Sequence, residues 1–133
     1  MGDPTSISEW QKGGLRYLKL KNIIPDFLAP AQVTTFFVGV RGVGGKSRLI
    51  NPFTPFQREY VIAAIDGEVV VIRLKLPGVF RAAIDSVIFR GSPGEGNLQW
   101  DGSRLRISGV SYQPISFHEE DAARLVELLR DGD

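Results

Sequence analysis

A glycine-rich segment ending in lysine and serine is the first feature of this sequence that could carry chemistry. Residues 42–47 read Gly-Val-Gly-Gly-Lys-Ser, which is similar to the phosphate-binding loop of nucleotide hydrolases. That loop requires a glycine five residues before the one that precedes lysine, and Val40 occupies this position. A helix must also follow the loop, but Pro52 and Pro55 would break one. We therefore do not expect nucleotide hydrolysis.

The other reactive side chains do not combine into a catalytic set. Gly109 and Ser111 begin like a nucleophile elbow, but Gln113 replaces the second glycine that this turn requires. His118 is the only histidine and the chain has no cysteine, so we expect neither a metal site nor a catalytic triad. A neutral polar contact or simple solvation would explain His118, and helix capping would explain the carboxylates of residues 119–121. We expect a protein that is not an enzyme and that uses no metal or cofactor.

Segment 41–56 is the first candidate for binding. Its cations flank a flexible glycine-rich stretch, whose backbone N–H groups could face an anion. Two phenylalanines follow between prolines, and aromatic residues beside cations suit a protein interface or a membrane surface. A solvated hairpin loop, with phenylalanines folded back onto the sheet, is the alternative. The candidate site residues are Arg41, Lys46, Arg48, Phe53 and Phe56.

A stripe of four cations on two predicted strands is the second candidate. Arg73 and Lys75 alternate outward on one strand, and Arg104 and Arg106 on another. They would form one basic surface if these strands were neighbours, although like charges would then repel, so we expect acidic neighbours or offset pairing. Residues 1–58 hold eight basic against three acidic side chains, and the remainder holds eight against twelve. This asymmetry indicates an anionic partner for the first part, or complementation between the two parts of one fold.

The elements that must position these residues are mostly strands. Period-two alternation places Val70, Ile72 and Leu74 on one apolar face, and the opposite face of that strand should be largely solvated. Residues 60–65 are apolar on both sides, as in a central strand, and residues 33–40 form the first strand. Turns separate the strands at Asp66-Gly67, Pro77-Gly78, Pro93-Gly94 and Asp101-Gly102.

Two helices are predicted, one at each end of the chain. Ser116 and Glu119 form a capping box, after which Ala122, Leu125, Val126 and Leu129 recur at helical spacing. Near the N-terminus the pattern indicates a helix over residues 8–20, with Pro25 and Pro30 bounding a short turn before the first strand. With 133 residues and 43% hydrophobic composition, we expect one domain, with a helical or irregular segment at 1–28 and a β-meander with its closing helix at 29–133.

The order of strand, basic loop, hairpins and closing helix resembles a bacterial pleckstrin-homology-like (PH-like) domain. The apolar strand, short turn and second apolar strand of residues 59–72 are similar to this family, as are residues 80–87 with their return strand. The resemblance implies an antiparallel, seven-stranded, partly open barrel or sandwich closed by a C-terminal amphipathic helix. It also implies a scaffold without catalytic groups. In lipid-binding relatives the first hairpin loop is basic, and Arg41, Lys46 and Arg48 lie in the matching loop here.

We therefore expect a non-catalytic binding or adaptor domain that engages a protein partner or an anionic ligand through residues 41–56. The alternatives are a structural subunit of a homo- or hetero-assembly and a module for anionic lipid or nucleic acid. Nucleic acid is disfavoured because stacking aromatics and a larger basic excess are missing. No stretch approaches the roughly 20 apolar residues of a membrane span, and the N-terminus lacks the order of a signal peptide. A cytoplasmic location is expected.

Overall fold

The structure is a computed structural model that describes residues 14–41, 58–75, 83–115 and 117–131. In this part of the chain, strands outnumber helices, as the sequence predicts. The elements in chain order are α1 (Gly14–Leu28), β1 (Val33–Arg41), β2 (Glu59–Ile65), β3 (Glu68–Leu74), β4 (Ile84–Gly91), β5 (Gln99–Trp100), β6 (Leu105–Ile107), β7 (Val110–Pro114) and α2 (Glu119–Asp131).

The seven strands form one antiparallel sheet with the order β4-β3-β2-β1-β7-β6-β5. The first four strands follow one another as a meander, and the last three form a second meander. The two meanders join where β1 pairs with β7, with Val40 opposite Gln113. The sheet is not closed, and β4 and β5 are its two ends. The mainly β, seven-stranded α+β fold is thus confirmed at this level.

Each face of the central strands is covered by a helix. On one face, Leu125 and Leu129 of α2 pack in the same cluster as Phe37 and Ile62. On the other face, Leu20 and Ile24 of α1 pack with Val61 and with other buried side chains of β1 to β3. Because residues of a strand alternate between faces, both sides of β2 are buried, which confirms it as a central strand.

The predicted solvated face of β3 is wrong. Val69 and Val71 are fully buried on the α2 face, while Val70 and Ile72 are buried on the α1 face. The sequence pattern around Arg73 and Lys75 suggested a wet side because two cations follow the apolar run. Solvent reaches this strand only near its two ends, at Glu68 and from Arg73 onward.

Helix α1 lies further along the chain than predicted. It runs through Pro25 to Leu28, so the expected turn before Pro30 is wrong, and residues 8–13 of the predicted helix lie outside the described part. A proline inside a helix costs about 3 kcal/mol. Ile24 and Leu28 on either side of it are buried, and each contributes about 1.5–3 kcal/mol, which offsets that cost.

Helix α2 matches its sequence signals. Ala122, Leu125, Val126 and Leu129 are all buried, and the first turn carries three carboxylates while Arg130 lies in the last turn. This arrangement suits the helix dipole, whose N-terminal end is positive. Ser116, the proposed capping residue, lies outside the described residues.

Tight turns set the register of the hairpins. Asp66 and Gly67 both have positive φ angles, as a two-residue hairpin between β2 and β3 requires, so this predicted turn is confirmed. Ser108 and Gly109 have positive φ angles in the same way between β6 and β7. Gly109 is therefore a turn residue.

Candidate binding end of the sheet

The connection between β1 and β2 leaves and re-enters the sheet at one end, which we call the loop end. Because neighbouring strands are antiparallel, the last residues of β1 and β3 lie beside the first residues of β2 and β4 there. Val40 is paired with Glu59, and Leu74 with Ile84. Four cations of the described residues occupy this end: Arg41, Arg58, Arg73 and Lys75.

Arg41 is the candidate residue whose geometry is best defined. Its guanidinium carbon lies 4.8 Å from the ring centre of Tyr60, a distance typical of a cation–π contact. Tyr60 in turn packs edge-on against Tyr112, with ring centres 5.4 Å apart. Gly39, the β1 residue paired with Tyr60, has no side chain to cover the ring. The buried tyrosines thus support the exposed guanidinium from beneath.

The pKa of the Tyr112 phenol depends on both burial and charge at this end. Burial raises the pKa of Tyr112, and the charge of Arg41 and a side-chain hydrogen bond with it oppose that rise. Arg41 is also the cross-strand partner of Tyr112. A cation held beside a largely buried hydroxyl creates a positive potential at the edge of a low-dielectric core.

A carboxylate neutralises part of the loop end. Asp85 of β4 accepts a hydrogen bond from Arg73 Nε across 2.8 Å and lies 3.5 Å from Nη1 of Arg58. The same Arg58 nitrogen donates to the backbone carbonyl of Leu74. Arg58 and Arg73 are therefore engaged with Asp85, whereas Arg41 takes part in no ion pair among the described residues.

The structure describes only one of the five predicted binding residues. It places Arg41 at the end of β1, exposed and oriented by Tyr60. Lys46, Arg48, Phe53 and Phe56 lie outside the described residues, so their contacts stay predictions. The described residues that flank their segment, Arg41 and Arg58, both lie at the loop end.

The condition for one basic surface of Arg73, Lys75, Arg104 and Arg106, that their strands are neighbours, is not met. Three strands, β2, β1 and β7, separate β3 from β6 in the sheet, because β1 pairs with β7. Arg73 contacts a carboxylate, that of Asp85 on β4. Arg73 and Arg41 instead share Tyr60 as a neighbour. Tyr60 of β2 is paired with Arg73 of β3, and its ring contacts the guanidinium of Arg41.

Sequence reasoning missed Arg58, Tyr60 and Tyr112 as parts of this end. Tyr60 was assigned only to an apolar strand. Tyr112 lies 71 residues after Arg41 in the sequence. Only the pairing of β1 with β7 brings the two residues together. A basic residue that directly precedes a strand after a basic loop, as Arg58 does, is the one signal in the sequence.

His118 has a structural contact that the sequence left open. It is completely buried, so simple solvation is wrong, and its Nδ1 accepts a hydrogen bond from the backbone N–H of Val38 across 3.0 Å. Tyr17 of α1 packs edge-on against the imidazole at 5.3 Å. An acceptor nitrogen requires the neutral ring at this position. His118 joins β1, α1 and the start of α2.

Possible metal ligands and a surface cleft are two further features of the described residues. In the described part of the chain, no group of three acidic or histidine side chains could hold a metal ion. A shallow cleft of about 250 Å³ lies between the turn after β4 and the end of α2. Its lining comprises Pro93, Gly94, Asn97, Leu98, Leu129 and Arg130, which include no acid or base suited to general catalysis near neutral pH.

The comparisons with known proteins do not assign this chain to a class. Family models, curated proteins and solved structures give no match to it. Among the described residues, neither helix is long and apolar enough to cross a membrane.

Proposed function

We propose that this chain is a non-catalytic binding domain whose loop end receives an anionic group, in the first place a carboxylate-bearing segment of a protein partner. The observation that carries the proposal is the exposed guanidinium of Arg41, held 4.8 Å above the Tyr60 ring. A guanidinium stacked on an aromatic ring keeps its N–H donors available at its edge, where they match a carboxylate.

The environment of Arg41 supports this proposal. Asp85 accepts a hydrogen bond from Arg73 and lies near Arg58. Among the described residues, no carboxylate forms an ion pair with Arg41. The contact with Tyr60 contributes only about 0.5–1 kcal/mol at an exposed site. It orients the side chain without neutralising its charge. The side chain of Arg41 therefore needs little rearrangement before it binds an anion.

The residues that follow Arg41 add further cationic and aromatic side chains. Residues 42–58 link β1 to β2, and a connection of this length in a small domain is usually functional or disordered. Lys46 and Arg48 add two cations, and Phe53 and Phe56 add apolar side chains that could anchor a peptide. The proposal retains the PH-like resemblance, supported by seven antiparallel strands followed by an amphipathic helix.

A peptide-binding titration tests the proposal. The probe is a fluorescein-labelled, glutamate-rich peptide, followed by anisotropy at low salt. Arg41→Ala should weaken binding about fivefold, the equivalent of about 1 kcal/mol. Arg124→Ala removes the same charge from an exposed position on α2 and should leave affinity unchanged. The Arg41/Lys46/Arg48 triple alanine variant should weaken binding further.

Vesicles provide the second arm of this experiment. The protein is sedimented with phosphatidylserine-containing vesicles and with phosphatidylcholine vesicles alone. Binding to the peptide but not to anionic vesicles supports a protein partner, whereas Arg41-dependent binding to vesicles alone transfers the same site to lipid. If the protein binds neither probe, or if Arg124→Ala weakens binding as much as Arg41→Ala, the proposal is wrong.

A further inference from the structure

His118 is a titratable side chain in the core of the protein. Among the described residues it is the one polar residue that is completely buried, and it is the only histidine of the chain. Histidine is the one side chain whose ordinary pKa lies between pH 5 and pH 8. Mild acid would therefore act on a group that joins β1, α1 and the start of α2.

The contact between His118 and Val38 admits only the neutral imidazole. Nδ1 accepts the N–H of Val38 across 3.0 Å, so the neutral ring carries its proton on Nε2. An imidazolium donates from both nitrogens, so protonation would set two N–H groups against each other at Nδ1. A hydrogen bond would be replaced by a repulsive contact in a low-dielectric core, and a charge would be buried there.

The groups on α1 and on the sheet do not favour a positive charge at the imidazole. Tyr17 of α1 contacts the ring, and the ammonium of Lys21 lies 5.9 Å from the centre of the Tyr17 ring. That ammonium has the same sign as an imidazolium. On the sheet, residues 33–40 and 110–115 carry no charged side chain, and their one titratable group, Tyr112, lies at the loop end.

The start of α2 brings charge of both signs near the imidazole. His118 directly precedes the first turn, where the positive end of the helix dipole disfavours an imidazolium. The carboxylates of Glu119, Glu120 and Asp121 act in the opposite sense. Glu119 and Glu120 are exposed, so solvent screens their charge. These carboxylates offset the dipole but cannot replace the bond at Nδ1, which Val38 occupies.

The backbone beside His118 is strained. Phe117 has a φ angle of 69°, in the left-handed region that bulky side chains avoid, and its ring is exposed. The N–H of His118 donates to the carbonyl of Ile115, and the carbonyl of His118 accepts from Ala122 in α2. The bond from Val38 therefore holds a segment whose backbone would relax on release.

We propose that His118 is an acid-sensitive latch, whose protonation opens the contact with Val38 and frees the start of α2 from the edge of β1. An exposed histidine has a pKa of about 6.5, so the stability of the closed contact is present above this pH and is lost as pH falls below it. Because only the open form takes up the proton, the open population should rise about thirtyfold from pH 7.5 to pH 5. The latch does not depend on the anion-binding function proposed above.

Amide hydrogen exchange at pH 7.5 and pH 5, followed by NMR, tests the latch. The protection factor of the Val38 amide should fall about thirtyfold, and at both pH values it should lie below that of Ile62, which is paired on both sides. His118→Asn supplies an acceptor that does not titrate, so its Val38 amide should change less than about threefold. Glu120→Gln is the matched control, because it removes an exposed carboxylate nearby and should keep the full response.

Several results would overturn the latch. One is equal protection of Val38 at the two pH values, and another is a full response that persists in His118→Asn or disappears in Glu120→Gln. Equal protection of Val38 and Ile62 would show that the contact opens only by global unfolding. The wild-type imidazole resonances give a test that needs no variant, since a ring that titrates near pH 6.5 while the Val38 amide stays protected also overturns the proposal. Peptide binding at Arg41 is measured separately, so failure of either proposal leaves the other standing.

Discussion

The imidazole of His118 takes the place of a strand partner for Val38. Beyond the last residue of β7, the N–H of Ile115 donates to the carbonyl of Val38, and the N–H of Val38 donates to Nδ1 of His118. The edge of β1 is thereby satisfied where pairing with β7 ends. Because His118 directly precedes α2, this bond also fixes where the helix begins against the sheet.

Removing this acceptor should destabilise the fold. His118→Phe keeps a ring but leaves the buried N–H of Val38 without its partner, at a cost of about 1–3 kcal/mol. Chemical denaturation measures the loss, and hydrogen exchange of the Val38 amide locates it. His118→Asn restores an acceptor near Nδ1 and should keep that amide protected. Equal exchange rates in the two variants would contradict this role.

Arg41 should control the ionisation of Tyr112. Burial raises the pKa of Tyr112 and Arg41 opposes the rise, so Arg41→Ala should raise it further. Since the folded pKa exceeds the unfolded value, the associated stability is present below the unfolded pKa and is lost as pH rises through the folded pKa. Ultraviolet titration measures the shift, and Tyr112→Phe assigns it among three tyrosines. A lower pKa in Arg41→Ala would contradict the contact.

Gly39 is required where the two meanders join. A Cβ at this position would lie 2.9 Å from the backbone oxygen of Gln113 and 3.2 Å from the Phe37 ring. Gly39→Ala should therefore push β1 from β7 and cost about 1–3 kcal/mol in unfolding free energy. Gly94→Ala is the control, because its nearest neighbour would be Ser92 Oγ at 3.9 Å, and it should change stability by less than about 0.5 kcal/mol. Equal stability of the two variants would rule out this close approach.

The turn before β6 should weaken in acid. Backbone N–H groups of Ser103 and Arg104 donate to the Asp101 carboxylate and lower its pKa. A depressed folded pKa contributes stability above the unfolded pKa, and this contribution is lost as pH falls through the folded pKa. Asp101→Asn should therefore be less stable than wild type near neutrality, with the difference shrinking below about pH 4. A pH-independent difference in denaturation midpoint would contradict this.

Local signals predicted much of the fold. Asp66-Gly67 specifies a two-residue hairpin because both residues adopt positive φ, and the apolar spacing of α2 specifies its buried face. The position of α1 did not follow, because the cost of Pro25 is local whereas the burial that offsets it is tertiary. Helix propensity alone stops the helix too early.

The candidate site could be predicted only in part. Arg41 was identifiable from its place between a strand and a basic loop. Its support by Tyr60 and Tyr112, and the separation of Arg73 from Arg104, both depend on β1 pairing with β7. Alternation and turn residues do not encode the pairing of strands so distant in sequence, so the sequence left open whether the strands of Arg73 and Arg104 are neighbours.

Chemical-shift mapping by NMR tests the central claim most directly, because it locates binding in the fold. Unlabelled glutamate-rich peptide is titrated into the isotopically labelled protein. The amide of Arg41 and those of its neighbours Tyr60 and Tyr112 should shift, while those of Leu98 and Arg130 at the cleft near the end of α2 should not. Shifts confined to that cleft or to the β4 edge, with Arg41 unchanged, would contradict the assignment of the loop end as the binding site.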